Sequence, residues 1–211
     1  MLKKEGSQGF WEGFWSIIKL LSIIFKMVGI FKKSKIKKRM AKLDPEMIYK
    51  YLEGVTRSVS KELGIPQGNL RSNIFTLHKD GYLRIHKGLH FNMNNPYELT
   101  IKIPVGYGCT GNAFQNRELT IAVLQKDWGK YILDDIEIKK VNKDLVWIVS
   151  VPIPHPKRPN EVIGILNIDC LRIRKTQTDL EKISDDMVYW VGLIAPQLKR
   201  TICREEDNHE T

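Results

Sequence analysis

From Asp44 onward, two amphipathic helical stretches enclose several short runs that are either apolar or alternate between apolar and polar residues. This arrangement limits what the chain can fold into. The first helix is predicted over Pro45–Leu63, because Asp44 can cap its N-terminus and proline fits the first helical position. The last helix is predicted to begin at Thr178, with apolar residues along one face and Pro196 near its end.

The segments between these helices predict an antiparallel sheet. The first two flank Asp80-Gly81, which is typical of a β-hairpin, and the last two should pair at the sheet centre across a polar loop from His155 to Asn160. Five strands are predicted in all: Ser72–Leu77, Tyr82–Ile85, Glu98–Pro104, Val146–Pro152 and Val162–Asp169.

Positive charge is concentrated at the front of the chain. The formal net charge is +10, and residues 1–43 hold eleven basic against two acidic residues, whereas the remainder holds 23 basic against 22 acidic. A domain that binds nucleic acid through its folded surface needs excess basic residues there to neutralise phosphates. No nucleic-acid partner is therefore predicted. The change in composition divides the chain into an apolar and basic segment over 1–43, a domain over 44–204 and a polar tail over 205–211.

The three cysteines, Cys109, Cys170 and Cys203, are far apart and include no Cys-x-x-Cys pair. This spacing predicts neither a zinc site nor a disulfide framework. No metal site is predicted, and reduced thiols in a cytosolic setting are expected.

A glycine-rich segment follows the third predicted strand. Gly106, Gly108 and Gly111 fall within six residues, and Thr110 or Asn112 can cap the short helix predicted after them. The G-x-G-x-x-G spacing also occurs in dinucleotide sites, but here it follows an antiparallel strand outside any βαβ unit. The segment is therefore interpreted as a tight strand-to-helix turn.

The order of elements and two local motifs resemble the GAF domain family. The motifs are IPVGYGCTGNAF (Ile103–Phe114) and the strand pair VSVPI (Val149–Ile153) with VIGILNID (Val162–Asp169), and the similarity covers about Asp44–Cys203. The resemblance implies an α+β fold, in which an antiparallel sheet of about six strands is backed by the N- and C-terminal helices. In this chain an N-terminal amphipathic or membrane helix would precede that fold.

In the GAF family the other face of the sheet forms a pocket, so the resemblance also implies a small-molecule ligand, and a homodimer or another protein partner. The identity of any cofactor or ligand is unknown from the sequence. For the aromatic residues of the predicted pocket, packing in the core is the alternative. Six residues are candidates for binding the ligand: Phe75, Tyr107, Thr110, Trp128, Trp147 and Asp169.

One branch of the GAF-like proteins is catalytic, the free methionine-(R)-sulfoxide reductases, and the chain resembles it in IPVGYG and VIGILNID. That chemistry needs a nucleophilic thiolate, a resolving cysteine, and carboxylates that hold and protonate the substrate. Here Cys109 lies one position before the expected cysteine, and no cysteine occurs over Leu124–Trp147. Two positions that are acidic in that branch differ here: the one near Ile148 is apolar, and the other is the amide Asn167. Of the expected carboxylates, only Asp169 remains. No catalytic residue is predicted, and Cys109 is a candidate redox-sensitive thiol.

An apolar segment, Gly9–Phe31, and the basic run after it predict attachment to a membrane. As a helix the segment would be about 34 Å long, enough to span a bilayer, but Lys19 and Lys26 oppose insertion. Its polar residues fall on one stripe, which favours a helix lying in the interface, and a partner-binding helix is the alternative. Two aromatic residues are predicted to insert among the acyl chains, Trp11 and Trp15. Six basic residues are predicted to contact anionic lipid: Lys32, Lys33, Lys35, Lys37, Lys38 and Arg39.

These features together predict a noncatalytic sensor, regulatory or adaptor protein held at the cytoplasmic face of the cell membrane. The membrane helix is predicted either to cross the bilayer once or to lie on it. A reductase-like enzyme is the alternative function.

Overall fold

The computed structural model describes residues 44–124 and 135–209, which belong to one compact unit spanning residues 44–211. The apolar and basic segment predicted to bind membranes lies outside the described residues, as does Trp128. None of the helices in the described part of the chain is long and apolar enough to cross a membrane.

The described residues form an α+β fold with a six-stranded antiparallel sheet. The helices are α1 (residues 44–63), α2 (Gly108–Asn116), α3 (Asp135–Lys140), α4 (Gln177–Glu181) and α5 (Ser184–His209). The strands are β1 (Leu70–Leu77), β2 (Tyr82–Phe91), β3 (Lys102–Pro104), β4 (Thr120–Val123), β5 (Leu145–His155) and β6 (Arg158–Leu171).

The strands lie in the order β3-β2-β1-β6-β5-β4, so β1 and β6 occupy the centre. Side chains alternate between the two faces of a strand. In β6, for example, Leu166 and Ile168 pack in the larger core, whereas Ile165 packs in a smaller cluster on the other face. The two faces of the sheet therefore carry different layers.

Helices α1 and α5 cover the face with the larger core and run antiparallel to each other. The Ser58 hydroxyl donates to Asp186 at 2.6 Å near one end, and Arg200 donates to Asp44 at 3.1 Å near the other. Asp44, the residue predicted to cap α1, thus pairs with Arg200 of α5. Apolar residues of both helices form the core with the sheet: Ile48, Leu52, Val55, Val59, Met187, Val191, Ile194 and Leu198.

The predicted third strand is wrong over its first half. Residues Glu98–Thr100 form a single 3-10 turn, and only Lys102–Pro104 pairs with β2. The reason is that Asn95 Oδ1 accepts a hydrogen bond from the Tyr97 amide at 3.0 Å, which turns the chain, and the Glu98 side chain is buried in an ion pair.

Other boundaries also differ from the sequence prediction. The predicted polar loop is replaced by a tight turn at Pro156-Lys157, because β5 continues to His155 and β6 begins at Arg158. The predicted last helix is divided into α4, which Thr176 and Asp179 cap reciprocally, and α5, which continues to His209. The sequence patterns did not predict β4 or α3.

Candidate ligand-binding cavity

A cavity of about 90 Å³ lies on the face of the sheet opposite α1 and α5. Its walls come from all six strands, from the start of α2, and from α3 with the residues that follow it. Most of the wall is apolar, with these members: Phe75, Ile85, Met93, Ile101, Ile103, Ala122, Leu124, Ile138, Val141, Leu145 and Ile148.

One end of the cavity carries three buried charged side chains. Arg71 on β1 donates from Nε to Asp169 Oδ1 at 2.6 Å, and its Nη1 donates to the Glu98 oxygens at 2.8 and 3.0 Å. Glu98 also accepts from the Asn142 amide at 2.9 Å, which ties it to the segment after α3. Each of the three charged residues is at most 4% exposed, so water screens the cluster poorly.

Burial changes the proton affinity of this cluster. The pKa of Asp169 is raised above its usual 3.8, because desolvation and the nearby Glu98 carboxylate outweigh the attraction of Arg71. Desolvation alone would lower the pKa of the Arg71 guanidinium, but its two carboxylate partners raise it. Arg71 therefore stays charged, and Asp169 holds a proton more tightly than an ordinary aspartate does.

A row of amide and hydroxyl groups lies beside the charged cluster. Asn73 and Asn167 are cross-strand partners, and Asn167 Nδ2 donates to Asn73 Oδ1 at 3.2 Å and to the Thr110 hydroxyl at 2.9 Å. Asn73 in turn donates to the Met93 sulfur at 3.3 Å. Asn167 Oδ1 is buried and accepts no hydrogen bond from the described residues. An unsatisfied buried acceptor costs free energy, which a donor group entering the cavity could offset.

The glycine-rich turn brings α2 against β3 and so closes one side of the cavity. A Cβ atom on Gly111 would lie 2.4 Å from the Pro104 carbonyl oxygen, and Gly106 has a φ of +84°. The Gly106 amide donates to the Gly111 carbonyl at 2.9 Å. This close approach places Cys109 and Thr110, in the first turn of α2, in the cavity wall.

Cys109 is a buried thiol in that wall. Its Sγ donates to the carbonyl oxygens of Thr120 and Ile148, at 3.2 and 3.7 Å. Burial raises the pKa of the Cys109 thiol to about 11, so the thiolate is scarce at neutral pH. This environment does not favour the redox role suggested by the sequence.

The structure brings only some of the predicted ligand-binding residues together. Phe75, Thr110 and Asp169 line the cavity. Tyr107 is 45% exposed and does not line it, while Trp147 lies on the opposite face of the sheet, fully buried, with Nε1 donating to the Ile173 carbonyl at 3.0 Å. Trp147 is thus a core residue, which was the stated alternative.

Sequence patterns missed Arg71 and Glu98, although both belong to the charged end. The sequence did hold one signal for this site. Arg71 is a charged residue that follows directly after the first apolar residue of a strand at the centre of the sheet. Among the described residues, no group of histidine, cysteine and acidic side chains is arranged to hold a metal ion.

Comparison with known proteins gives structural matches alone. No family model matches the chain, and no curated protein matches it. The GAF domain of nlh2 from A. aeolicus, in an inactive state, is 19% identical with a TM-score of 0.46, covering 77% of this chain and 98% of that one. The GAF/HD domain protein of Geobacter sulfurreducens is 9% identical with a TM-score of 0.49, covering 72% and 94%. The described domain is similar to GAF domains.

The similarity extends to the reductase branch of GAF-like proteins. A type II free methionine-R-sulfoxide reductase from Thermoplasma acidophilum is 15% identical with a TM-score of 0.48, covering 74% of this chain and 94% of that one. At these identities and scores the likeness concerns the fold and carries no argument about chemistry.

Three positions at which the sequence departs from the reductase pattern, Cys109, Ile148 and Asn167, line the cavity of this GAF-like domain. The departures therefore fall on the cavity itself and not on a distant surface.

Proposed function

We propose that the GAF-like domain is a noncatalytic sensor that binds a small molecule in the cavity and transmits its occupancy to a partner. The observation that carries this proposal is one cavity with apolar walls and a single charged end. Ligand pockets typically combine an apolar lining with a few polar groups that fix orientation. This cavity has both the apolar lining and the polar groups.

The charged end limits the chemistry of the ligand. Two carboxylates, Glu98 and Asp169, face one guanidinium, so the cluster carries one formal negative charge when all three residues are ionised. A cationic or hydrogen-bond-donating group on the ligand would offset that charge, whereas an anion would be repelled. The cavity volume of about 90 Å³ favours a small ligand with a compact apolar body.

The proposal that the domain is not an enzyme rests on the thiol and its surroundings. A nucleophilic cysteine needs a lowered pKa and a base within reach. The pKa of Cys109 is instead raised to about 11, and neither histidine nor lysine is among the residues that line the cavity. The alternative, a reductase-like enzyme, is favoured by the position of Cys109 in the cavity wall.

The N-terminal segment suggests where the sensor works. We propose that residues 9–42 attach the protein to the cytoplasmic face of a membrane, through the apolar run and the basic run together. The sensing domain would then act close to that surface.

Native mass spectrometry of the full chain purified from its own cells tests the sensor proposal. A retained small molecule is expected, and Ala122→Leu should lose it, because Ala122 lines the cavity and the larger side chain would occupy its space. Gly68→Leu is the matched control, since Gly68 is exposed and a side chain there meets nothing within 4 Å. Equal retention by wild type and Ala122→Leu, with circular dichroism showing both folded, would contradict binding in the cavity.

A turnover assay separates the two candidate functions. The full chain is mixed with free methionine-(R)-sulfoxide and a thiol reductant, and no turnover above background is expected. Turnover that Cys109→Ser abolishes would establish the enzyme and overturn the noncatalytic proposal.

A further inference from the structure

The first and last hairpins of the sheet diverge at one end. Pairing of β1 with β6 stops at Phe75 and Ile165, but β1 continues to Leu77 beside β2, and β6 begins at Arg158 beside β5. Between the diverging hairpins lies an open cleft of about 790 Å³, a volume within the range typical of ligand sites. This hairpin cleft is separate from the apolar cavity, because no residue lines both.

The hairpin cleft is lined from both faces of the sheet. Lys199 and Ile202 of α5 line it from one face, and Phe114, near the end of α2, lines it from the other. Leu77 at the edge of the cleft is 48% exposed and adds an apolar side chain that faces solvent. An occupant of the cleft would therefore find apolar contacts on both faces of the sheet.

An open strand edge runs along the cleft. On one side, β6 pairs with β5 as far out as His155 and Arg158. On its other side, no described strand pairs with β6 beyond Ile165, so the edge of Glu161–Ile163, which lines the cleft, lacks a neighbouring strand. The unpaired N–H and C=O groups of such an edge are a template for an incoming strand.

The opposite wall of the cleft offers backbone groups as well. The His78 amide donates to the Tyr82 carbonyl at 3.0 Å inside the first hairpin. Consecutive residues of a strand direct their backbone groups to opposite sides, so those of Leu77 point away from β2 and into the cleft. An extended peptide between the two hairpins would therefore meet backbone donors and acceptors on each side.

Positive charge is in excess in the hairpin cleft. The two acidic residues that line it each have a basic partner, in the pairs Asp80–Arg84 and Glu161–Arg158. Lys79 and Lys199 also line it, and neither forms an ion pair with another described residue. The Arg84 Nε atom is buried and finds no acceptor among the described residues. An occupant that brings carboxylates would pair with the lysines and could satisfy this donor.

We propose that the hairpin cleft binds an extended acidic peptide of a partner protein, which adds to the edge of β6 as a further strand. Its backbone pairs with Glu161–Ile163, and its carboxylates reach Lys79 and Lys199. A peptide fits better than a small anion, because a small anion would pair with the lysines and leave the strand edge open. This inference is independent of the ligand proposed for the apolar cavity.

Fluorescence polarisation of labelled heptapeptides with the full chain tests the chemistry of the occupant. A probe of alternating valine and glutamate should bind saturably. A probe of alternating valine and lysine should bind at least about tenfold more weakly, because it meets Lys79 and Lys199 with like charge. The acidic probe N-methylated at every residue cannot donate backbone hydrogen bonds and should be weakened similarly. Equal binding of the three probes, or no saturable binding of the acidic one, would overturn the inference.

Two double variants of the full chain locate the binding. The basic run before residue 44 would also attract an acidic probe, so both variants leave it unchanged. Lys79→Glu with Lys199→Glu should raise the dissociation constant of the acidic probe at least about tenfold, since like charges then meet in the cleft. Lys61→Glu with Lys139→Glu makes the same change in net charge at exposed positions outside the cleft and should have no such effect. Equal losses in the two variants would refute the proposed site.

Hydrogen exchange followed by mass spectrometry tests the strand edge. The acidic probe should slow exchange several-fold over Glu161–Ile163, because amides of the open edge gain acceptors. Strand β4, at the edge of the sheet, is the internal control and should be unaffected. Protection of β4 without protection of Glu161–Ile163 would overturn the site. Protection of Glu161–Ile163 that rises with protein concentration in the absence of any probe would show a second copy in the cleft and refute the proposed occupant.

Discussion

Arg71 is the single side chain on which the charged end of the cavity depends. Replacing it with methionine leaves the buried Glu98 and Asp169 carboxylates without their shared cation. Breaking a buried ion pair in this way costs about 3–5 kcal/mol, so the free energy of unfolding of Arg71→Met, measured in urea, should fall by that amount. Arg57→Met removes a surface pair with Glu53 and should change stability by less than about 0.5 kcal/mol. Equal effects of the two substitutions would mean that the cluster is not a structural unit.

Asp169 gives the folded domain a specific dependence on pH. Its pKa in the folded state is raised above 3.8, so the native protein holds a proton there more tightly than the unfolded chain does. The stability contributed by this group is fully present below about pH 3.8 and is lost as the pH rises through the folded pKa. The groups that face it are Arg71, which stays charged, and Glu98.

Asp169→Asn removes that titration and tests the sign. Urea unfolding of both proteins across a pH series should give similar stabilities at the acidic end, where Asp169 is protonated. The variant should become more stable relative to wild type as the pH rises. A constant difference between the two proteins at every pH would contradict the raised pKa.

The three thiols should differ in reactivity at neutral pH. The pKa values of Cys109 and Cys170 are both raised to about 11 by burial, and both side chains are buried, whereas Cys203 is half-buried on α5. Alkylation with iodoacetamide, followed by mass spectrometry, should therefore label Cys203 first and the other two only after denaturation. Rapid labelling of Cys109 in the folded protein would reopen its role as a redox-sensitive thiol.

At the level of elements, the turn between β3 and α2 holds the cavity closed. Gly111→Ala would place a methyl group 2.4 Å from the Pro104 carbonyl oxygen and 3.2 Å from the Gly106 amide nitrogen, both of them backbone atoms that cannot rotate away. The backbone must shift, and thermal or urea unfolding should show a loss of about 1–3 kcal/mol. Gly68→Ala is the control, because a Cβ atom there meets nothing within 4 Å. Unchanged stability of Gly111→Ala would show that the turn yields easily.

The elements that the sequence predicts well are those with a strong local signal. Periodicity and capping residues place α1, and the Asp80-Gly81 turn places the first hairpin, which the structure confirms. Glu98 misled the strand prediction, because alternation of apolar and polar residues cannot show that a glutamate is buried by a partner 27 residues earlier in the chain. Short elements such as β4 lack enough residues for a clear period.

At the level of the whole molecule, the sequence predicted where the cavity would lie but not all of the residues that line it. Phe75 and Asp169 were expected in the pocket and line it. Trp147 was expected there as well, yet the next residue, Ile148, lines the cavity, and strand alternation then puts Trp147 on the other side. Which face a residue occupies depends on register between distant strands, and local sequence does not record that register.

The proposed membrane attachment of the whole chain would rest on two forces that respond differently to salt. The apolar run Gly9–Phe31 would bury side chains among acyl chains, which salt does not weaken, while the basic run contributes about 1 kcal/mol per residue near an anionic surface and is screened. In vesicle flotation of the full chain, high salt should therefore reduce binding without abolishing it. Replacing the six residues of the basic run by glutamine should lower binding to anionic vesicles more than to neutral ones: Lys32, Lys33, Lys35, Lys37, Lys38 and Arg39.

The matched control removes the same number of positive charges from the exposed surface of the GAF-like domain. Because the described domain with its tail has nearly balanced charge, glutamine at six exposed lysines there should leave vesicle binding almost unchanged: Lys50, Lys61, Lys79, Lys87, Lys139 and Lys157. If the two sextuple variants lose binding equally, the attraction comes from overall charge and not from the N-terminal run. If the unaltered full chain stays with the soluble fraction and ignores anionic vesicles, the segment before residue 44 is a partner-binding helix, and the sensor acts away from membranes.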